Sequence, residues 1–361
     1  MAYRILVTGG AGFIGSNLVG YLLGEASSDL AIDVERVVTL DKLTYAGNPE
    51  NLRGLENDGR HRLVEGDIGD SALVATLLRE ESINAVMHLA AESHVDRSIE
   101  DSAAFVETNV LGTQRLLEAS RERVEGGSGL DEFRFVHVST DEVYGSLSPD
   151  DPAFTESTAY APNSPYAASK AAADHLARAW FHTHGLPVIT TNCSNNYGPR
   201  QFPEKLIPLM ISKMRRGERL PVYGDGSNIR DWLYVDDHCR ALVLALVRGR
   251  PGEVYNIGGG CELKNLDVVD ALIEVVTALE PSVAGRSAGE WIEFVTDRPG
   301  HDRRYAIDSS KIETELGWAP RESFRTGLEK TVRWYLENAE WIRRIESGAY
   351  RGKHLGLTSP E

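Results

Sequence analysis

The chain has 361 residues, with 38 Lys plus Arg against 54 Asp plus Glu, a formal charge of −16, and 42% apolar and 25% charged residues. That length suits two domains or one large one with a full core. The acidity argues against nucleic acid or an anionic membrane as partner, while leaving room for a phosphate ligand held by backbone N–H groups and a few placed cations. The three cysteines, Cys193, Cys239 and Cys261, show no CxxC spacing, which points to reduced intracellular thiols and to neither a disulfide nor a zinc site. No apolar run approaches the roughly 20 residues that span a bilayer, so a cytoplasmic protein is expected.

Arg4-Ile5-Leu6-Val7-Thr8 reads as a buried strand, and Gly9-Gly10-Ala11-Gly12-Phe13-Ile14-Gly15 follows it at the opening of an amphipathic helix. There Gly9, Gly12 and Gly15 let the backbone turn tightly, approach a pyrophosphate and pack the helix on the sheet, so the spacing predicts a dinucleotide site over a structural turn. The next strand, Val37 to Leu40, closes on Asp41. Its carboxylate either accepts hydrogen bonds from adenosine ribose hydroxyls, which favours NAD over NADP, or simply forms a turn, and the neighbouring Lys42 leaves both open. Strands follow at Arg62 to Glu65 and Ala85 to Leu89. Their ends, Asp67-Ile68 and Leu89-Ala90-Ala91-Glu92-Ser93, fall where the adenine and the middle of a dinucleotide would lie. With further strands at Phe133 to Val138 and Val188 to Thr191 and helical stretches between most of them, the alternation predicts a doubly wound, parallel Rossmann α/β domain over residues 1–191.

Tyr166-Ala167-Ala168-Ser169-Lys170 sets Tyr and Lys four apart, on one face of a helix. An ammonium beside a phenol lowers its pKa from about 10 and makes it a base for a hydroxyl proton during hydride transfer. Ser139-Thr140 ends the preceding strand, which favours this catalytic reading over a solvated surface pair.

From about Asn192 the rhythm loosens, with prolines at 199, 203, 208 and 221, short strands at Pro221 to Tyr223 and Ile292 to Val295, and helical patterns over Val235 to Val247, Leu266 to Leu279 and Ser323 to Trp341. Residues 192–361 are expected to form a smaller C-terminal α/β substrate-binding domain, with some interleaving of elements, over the carboxyl edge of the sheet. Loops 125–131 and 281–289 carry no readable chemistry, and the tail after Gly348 reads as frayed. Of the ten histidines, His88 and His137 read as core residues with satisfied nitrogens, and His182-Thr183-His184 as solvated side chains, so no metal site is expected. Trp334, Tyr335 and Trp341 read as helix packing.

Together these motifs resemble the extended short-chain dehydrogenase/reductases acting on nucleotide-sugars and, more narrowly, the dTDP-glucose 4,6-dehydratases, over nearly the whole chain. The narrowing rests on Ser139-Thr140-Asp141-Glu142-Val143-Tyr144-Gly145, with its adjacent Asp-Glu pair. Further matches are Ala91-Glu92-Ser93-His94-Val95-Asp96-Arg97-Ser98, Asn195-Asn196-Tyr197-Gly198-Pro199, Pro203-Glu204-Lys205-Leu206-Ile207-Pro208 and Asp297-Arg298-Pro299-Gly300-His301-Asp302.

The chemistry accounts for the pair. A ketone at C4 of a hexose acidifies the C5 proton, so one carboxylate can remove it while a protonated carboxyl protonates the departing C6 hydroxyl. Adjacent residues can do this only where the chain bends, since a regular strand points them to opposite faces. The resemblance implies Tyr166 as base for C4 oxidation, assisted by Lys170 and Thr140, Glu142 as base at C5 and Asp141 as acid at C6, with hydride passing from C4 to bound NAD and back to C6. Asp141 is then expected to have a raised pKa.

It further implies that Phe13, Ile14, Lys42, Thr44, Ser93 and Thr108 join the glycines, Asp41 and the strand ends around the cofactor. Arg230 and Asn265 would hold the phosphates and ribose, Asn195 the diphosphate and sugar, and His94 the sugar. Glu204, Lys205 and Leu206 would border the thymine, with Pro221, Val222, Tyr223, Arg298 and His301 completing the pocket. A homodimer through helices at Ala103 to Arg121 and Ser164 to His182 is implied as well. Two departures from the family pattern, Arg200-Gln201 and the long 125–131 loop, leave the catalytic set complete. A dehydratase of another nucleotide-sugar, a 4-epimerase and a non-catalytic NAD or nucleotide-sugar sensor are the competing readings.

Overall fold

Alternating strand and helix folds as parallel strands with crossovers on both faces, and the computed structural model, which describes residues 2–125, 132–297 and 300–347, does so. Its strands are β1 (Ala2–Thr8), β2 (Asp33–Asp41), β3 (His61–Glu65), β4 (Ala85–His88), β5 (Arg134–Thr140), β6 (Val188–Cys193), β7 (Asn195–Tyr197), β8 (Leu220–Tyr223), β9 (Ile229–Tyr234), β10 (Val254–Ile257), β11 (Glu262–Lys264) and β12 (Ile292–Val295). A seven-stranded sheet runs β10-β6-β5-β4-β1-β2-β3, parallel throughout.

Side chains alternate across this sheet with the period of two that a strand imposes. Ile5 and Val7 of β1 pack with Leu18 and Leu22 of helix Phe13–Leu23 and Leu242 and Leu246 of helix Val235–Arg248. Leu6, Val38 and Leu40 pack on the other face with Val74 and Leu77 of helix Ser71–Glu80 and Leu116 of helix Thr113–Arg123. A separate core joins Met210 and Met214, Val269 and Leu272, Trp291, Val332 and Tyr335, beside the three-stranded β11-β9-β7 and two-stranded β12-β8 sheets.

The six strands expected in the first half are present, and the second half differs from expectation in several places, helices Leu206–Arg216 and Ser310–Leu316 and strand β11 among them. β10 joins the large sheet beside β6, although its four residues gave too short a pattern to read. β7 and β9 pair in parallel beyond the end of β6. The helix expected over Ser323 to Trp341 is two, Phe324–Glu337 and Ala339–Ser347, because Asn338 leaves the helical region at φ −112, ψ 38. All three cysteines are free thiols. Among the described residues there is no metal-binding cluster and no helix long and apolar enough to cross a membrane. Residues 126–131 of the loop at 125–131, Arg298 and the tail after Gly348 lie outside the described residues.

Candidate active site

The turn after β1 requires glycine. Gly9 sits at φ +69, and a Cβ there would lie 2.7 Å from the Ala90 nitrogen, so the loop and the end of β4 close to backbone contact. Gly12 N–H donates to Gly9 O at 3.2 Å, and the helix beginning at Phe13 has no side-chain cap, leaving its first N–H groups for a ligand. This turn forms one end of a cavity of about 330 Å³. Every cofactor residue expected from the sequence lines it, from the glycines with Phe13 and Ile14, through Asp41, Lys42, Thr44, Asp67 and Ile68, to Leu89, Ala90, Ala91, Ser93 and Thr108. Thr108 comes from a π-helical segment, Val106–Gly112, whose Asn109 holds the backbone of Glu92 at both N–H and C=O. Asp41 also realises the turn reading: Oδ2 accepts from Ala11 N–H and Oδ1 from Leu43 N–H, each at 2.9 Å, which leaves each oxygen a second acceptor position.

At the other end of the cavity stand Thr140, Asp141, Glu142, Tyr166 and Lys170. The bend that two neighbouring carboxyls need is supplied by a 3-10 turn, Asp141–Tyr144, starting where β5 ends. Thr140 caps it, its Oγ1 accepting from Glu142 N–H at 3.3 Å and donating to Asp141 Oδ1 at 3.4 Å. Asp141 is 1% exposed and its Oδ2 has no hydrogen-bond partner among the described residues. Burial, then the charges of Glu142 and Asp231, push its carboxyl well above the usual range.

Tyr166 and Lys170 lie one turn apart on helix Pro165–His184, whose first turn is capped by Ser164. The expected lowering of the phenol by Lys170 is corrected here. Burial first and the Glu142 charge next push Tyr166 well above its ordinary pKa, and a bond with Thr140 opposes them. The Lys170 ammonium instead donates to Val138 O at 2.8 Å, and burial lowers its own pKa.

Of the expected substrate residues, Asn195, Glu204 and Lys205 line the same cavity. Glu204, raised by burial, faces His94 Nε2 at 3.7 Å and Arg97 Nε at 3.5 Å, and Lys205 Nζ donates to Ser93 O at 3.2 Å. His94, Leu206, Pro221, Tyr223, Arg230, Asn265 and His301 are not among the residues lining this cavity. Tyr223 donates to Asp96 at 2.9 Å, and His301 faces Asp297 at 2.6 Å and the Tyr223 ring at 5.9 Å. Arg230 donates to Asp302 O at 3.0 Å and lies over the Tyr305 ring at 4.3 Å, while Asn265 N–H donates to Asn228 O.

Sequence reasoning missed Cys193, Ser194, Asn196, Gln201 and Phe202, all lining the cavity. Asn196 lies in the Asn195-Asn196-Tyr197-Gly198-Pro199 motif, directly beside the expected Asn195. Tyr305, whose hydroxyl donates to Asp302 and whose pKa the Glu142 charge helps to raise, lies three residues beyond the motif that ends at Asp302.

The family model described as GDP-mannose 4,6 dehydratase matches residues 6–331. A dTDP-glucose 4,6-dehydratase of Xanthomonas campestris is 56% identical over 98% of this chain and 99% of its own, and one of Salmonella typhimurium is 53% identical over 96% and 97%. The chain belongs to the dTDP-glucose 4,6-dehydratase family. A solved structure of a family member from Streptomyces venezuelae, with NAD and dTDP bound, superposes with a TM-score of 0.87 at 49% identity, covering 95% of this chain and 99% of that one.

Proposed function

We propose that this chain converts dTDP-glucose to dTDP-4-keto-6-deoxyglucose and water, as an NAD-dependent hydro-lyase. The observation that carries the reading is the 3-10 turn after β5, which sets Asp141 and Glu142 beside Tyr166 in the cavity that the glycine turn opens.

The residues present fit NAD. A Cβ would fill the cradle at Gly9, the uncapped N–H groups after Gly12 suit a pyrophosphate, and Asp41 keeps an acceptor position on each oxygen for a ribose hydroxyl. Bound NAD supplies a hydride acceptor that becomes the donor later in the same turnover, so it is not consumed. As the phenolate, Tyr166 takes the C4 hydroxyl proton; Thr140 hydrogen-bonds its oxygen, and the Lys170 ammonium has to offset the burial and the Glu142 charge that oppose this ionised form. Glu142 removes the proton at C5 once C4 is a ketone. Asp141, kept protonated by burial, gives its proton to the C6 oxygen as the C–O bond breaks, so the oxygen leaves as water.

Asn195, Glu204, Lys205 and His94 would meet the sugar, diphosphate and base, with Leu206, Pro221, Tyr223, Arg230, Asn265, Arg298 and His301 closing the nucleotide end. We divide the chain into an NAD-binding domain of residues 1–191 and a mainly substrate-binding part of residues 192–361, from which helix Val235–Arg248 and β10 pack back on the large sheet. A homodimer is supported by Ile99, Val106 and Leu111, large apolar side chains exposed along consecutive helical segments. The free thiols suit the cytoplasm.

The test is to incubate the purified protein, without added NAD, with dTDP-glucose, UDP-glucose and GDP-mannose separately and identify products by mass. A 4-keto-6-deoxy product from dTDP-glucose alone is expected. Turnover of another nucleotide-sugar would reassign the base specificity, and tight binding with no turnover even after NAD is supplied would favour a sensor.

A further inference from the structure

Beneath the catalytic residues lies a buried carboxylate that none of the steps above uses. Asp174 is 4% exposed and stands one helical turn after Lys170, so both side chains share a face of helix Pro165–His184. Side chains from two other segments close on it. Ser139 Oγ donates to Asp174 Oδ2 at 2.8 Å, the Tyr160 hydroxyl donates to the same oxygen at 3.0 Å, and His137 Nε2 faces Oδ1 at 2.9 Å. Lys170 is 5% exposed, and its Nζ bonds the carbonyl of Val138, the residue between His137 and Ser139. A buried ammonium with no counter-charge sheds its proton.

We propose that Asp174 is a positioning residue for this reaction: its carboxylate, gripped by Ser139, Tyr160 and His137, is the buried counter-charge that keeps Lys170 an ammonium and ties the catalytic helix to the strand ending in Thr140. The inference rests on the dehydratase reading above.

The other titratable groups around the pair do not supply this charge. His137 of β5 and His88 of β4, with rings 5.4 Å apart, are both pushed toward the neutral form by burial. Tyr160, Tyr144 of the 3-10 turn, which donates to Asn256 and accepts from Asn192, and Cys193 of β6 are all pushed up by burial and stay neutral near pH 7. Burial lowers Lys170, and the Asp174 charge is the first of the influences that oppose it.

The test is the pH profile of kcat for dTDP-glucose with wild type, Asp174→Asn and Tyr160→Phe, each checked for NAD content and thermal midpoint. Activity needs the Lys170 ammonium and falls as pH rises through its pKa. Asp174→Asn removes the counter-charge, so its alkaline limb moves to lower pH by about 1 unit or more, with KM little changed. Tyr160→Phe keeps the carboxylate but removes a donor that partly neutralises it, so that limb moves to higher pH. Tyr160→Phe loses only a hydroxyl and decides the question even if Asp174→Asn does not fold. A uniform loss of kcat at every pH in Asp174→Asn, or a limb that stays or falls in Tyr160→Phe, would overturn the proposal. A wild-type enzyme that turns over dTDP-glucose while both variant limbs stay unmoved removes this inference alone, whereas no wild-type turnover removes the dehydratase reading beneath it.

Discussion

Replacing Asp141 by Asn separates the chemistry of this residue from its contribution to stability. The carboxyl is buried, one of its oxygens has no hydrogen-bond partner among the described residues, and Glu142 and Asp231 add to the burial that raises its pKa. The amide has nearly the same shape and no ionisation, so the fold should hold. What it lacks is a proton to give to the C6 oxygen, and losing a general acid costs about 10² to 10⁴ in rate, or about 3 to 5 kcal/mol of barrier. Turnover should fall by that factor while C4 oxidation continues, so reduced nicotinamide absorbance accumulates on adding dTDP-glucose. The stability effect has a defined sign. A carboxyl whose pKa is raised by folding stabilises fully below its unfolded pKa, and that contribution is lost as pH rises toward the folded value, by up to about 1.4 kcal/mol per pH unit. Asp141→Asn escapes this loss, so its thermal midpoint should gain on wild type as pH climbs above the ordinary carboxylate range. Wild-type turnover in the variant, or a midpoint difference that does not change with pH, would refute the assignment of Asp141 as a protonated buried acid.

Two further outcomes follow from geometry. Gly9→Ala puts a methyl against the Ala90 backbone at a positive φ, so it should cost about 1 to 3 kcal/mol and strip bound NAD, read by thermal midpoint and by the cofactor content of the purified protein. Val106→Arg adds charge to an exposed apolar side chain and should leave the monomer fold intact while converting dimer to monomer in sedimentation, and an unchanged dimer would place the interface elsewhere.

What the sequence makes legible follows from local rules. Gly9 is legible because a tight turn between strand and helix needs positive φ, and Tyr166 with Lys170 because a helix puts i and i+4 on one face. What stayed illegible was set by tertiary neighbours. The four residues of β10 become a strand only against β6. Lys170 beside Tyr166 predicts a depressed phenol pKa, yet burial and then the Glu142 charge raise it, and the ammonium is anchored on Val138. His88 has both nitrogens satisfied, through Thr8 and Thr113, as the sequence leads one to expect, whereas His137 bonds Asp174 through Nε2 and its Nδ1 has no hydrogen-bond partner among the described residues. That contact spans 37 residues, and no periodicity encodes it.

The central claim is that one cavity carries out oxidation at C4 and elimination across C5 and C6 with a cofactor that is returned each cycle. The most direct measurement is conversion of dTDP-glucose in deuterated water with no NAD added, followed by NMR of the product. The account predicts a 4-keto-6-deoxy sugar carrying solvent deuterium at C5. A product with protium retained at C5, or a 4-epimer with its C6 hydroxyl intact, would contradict it.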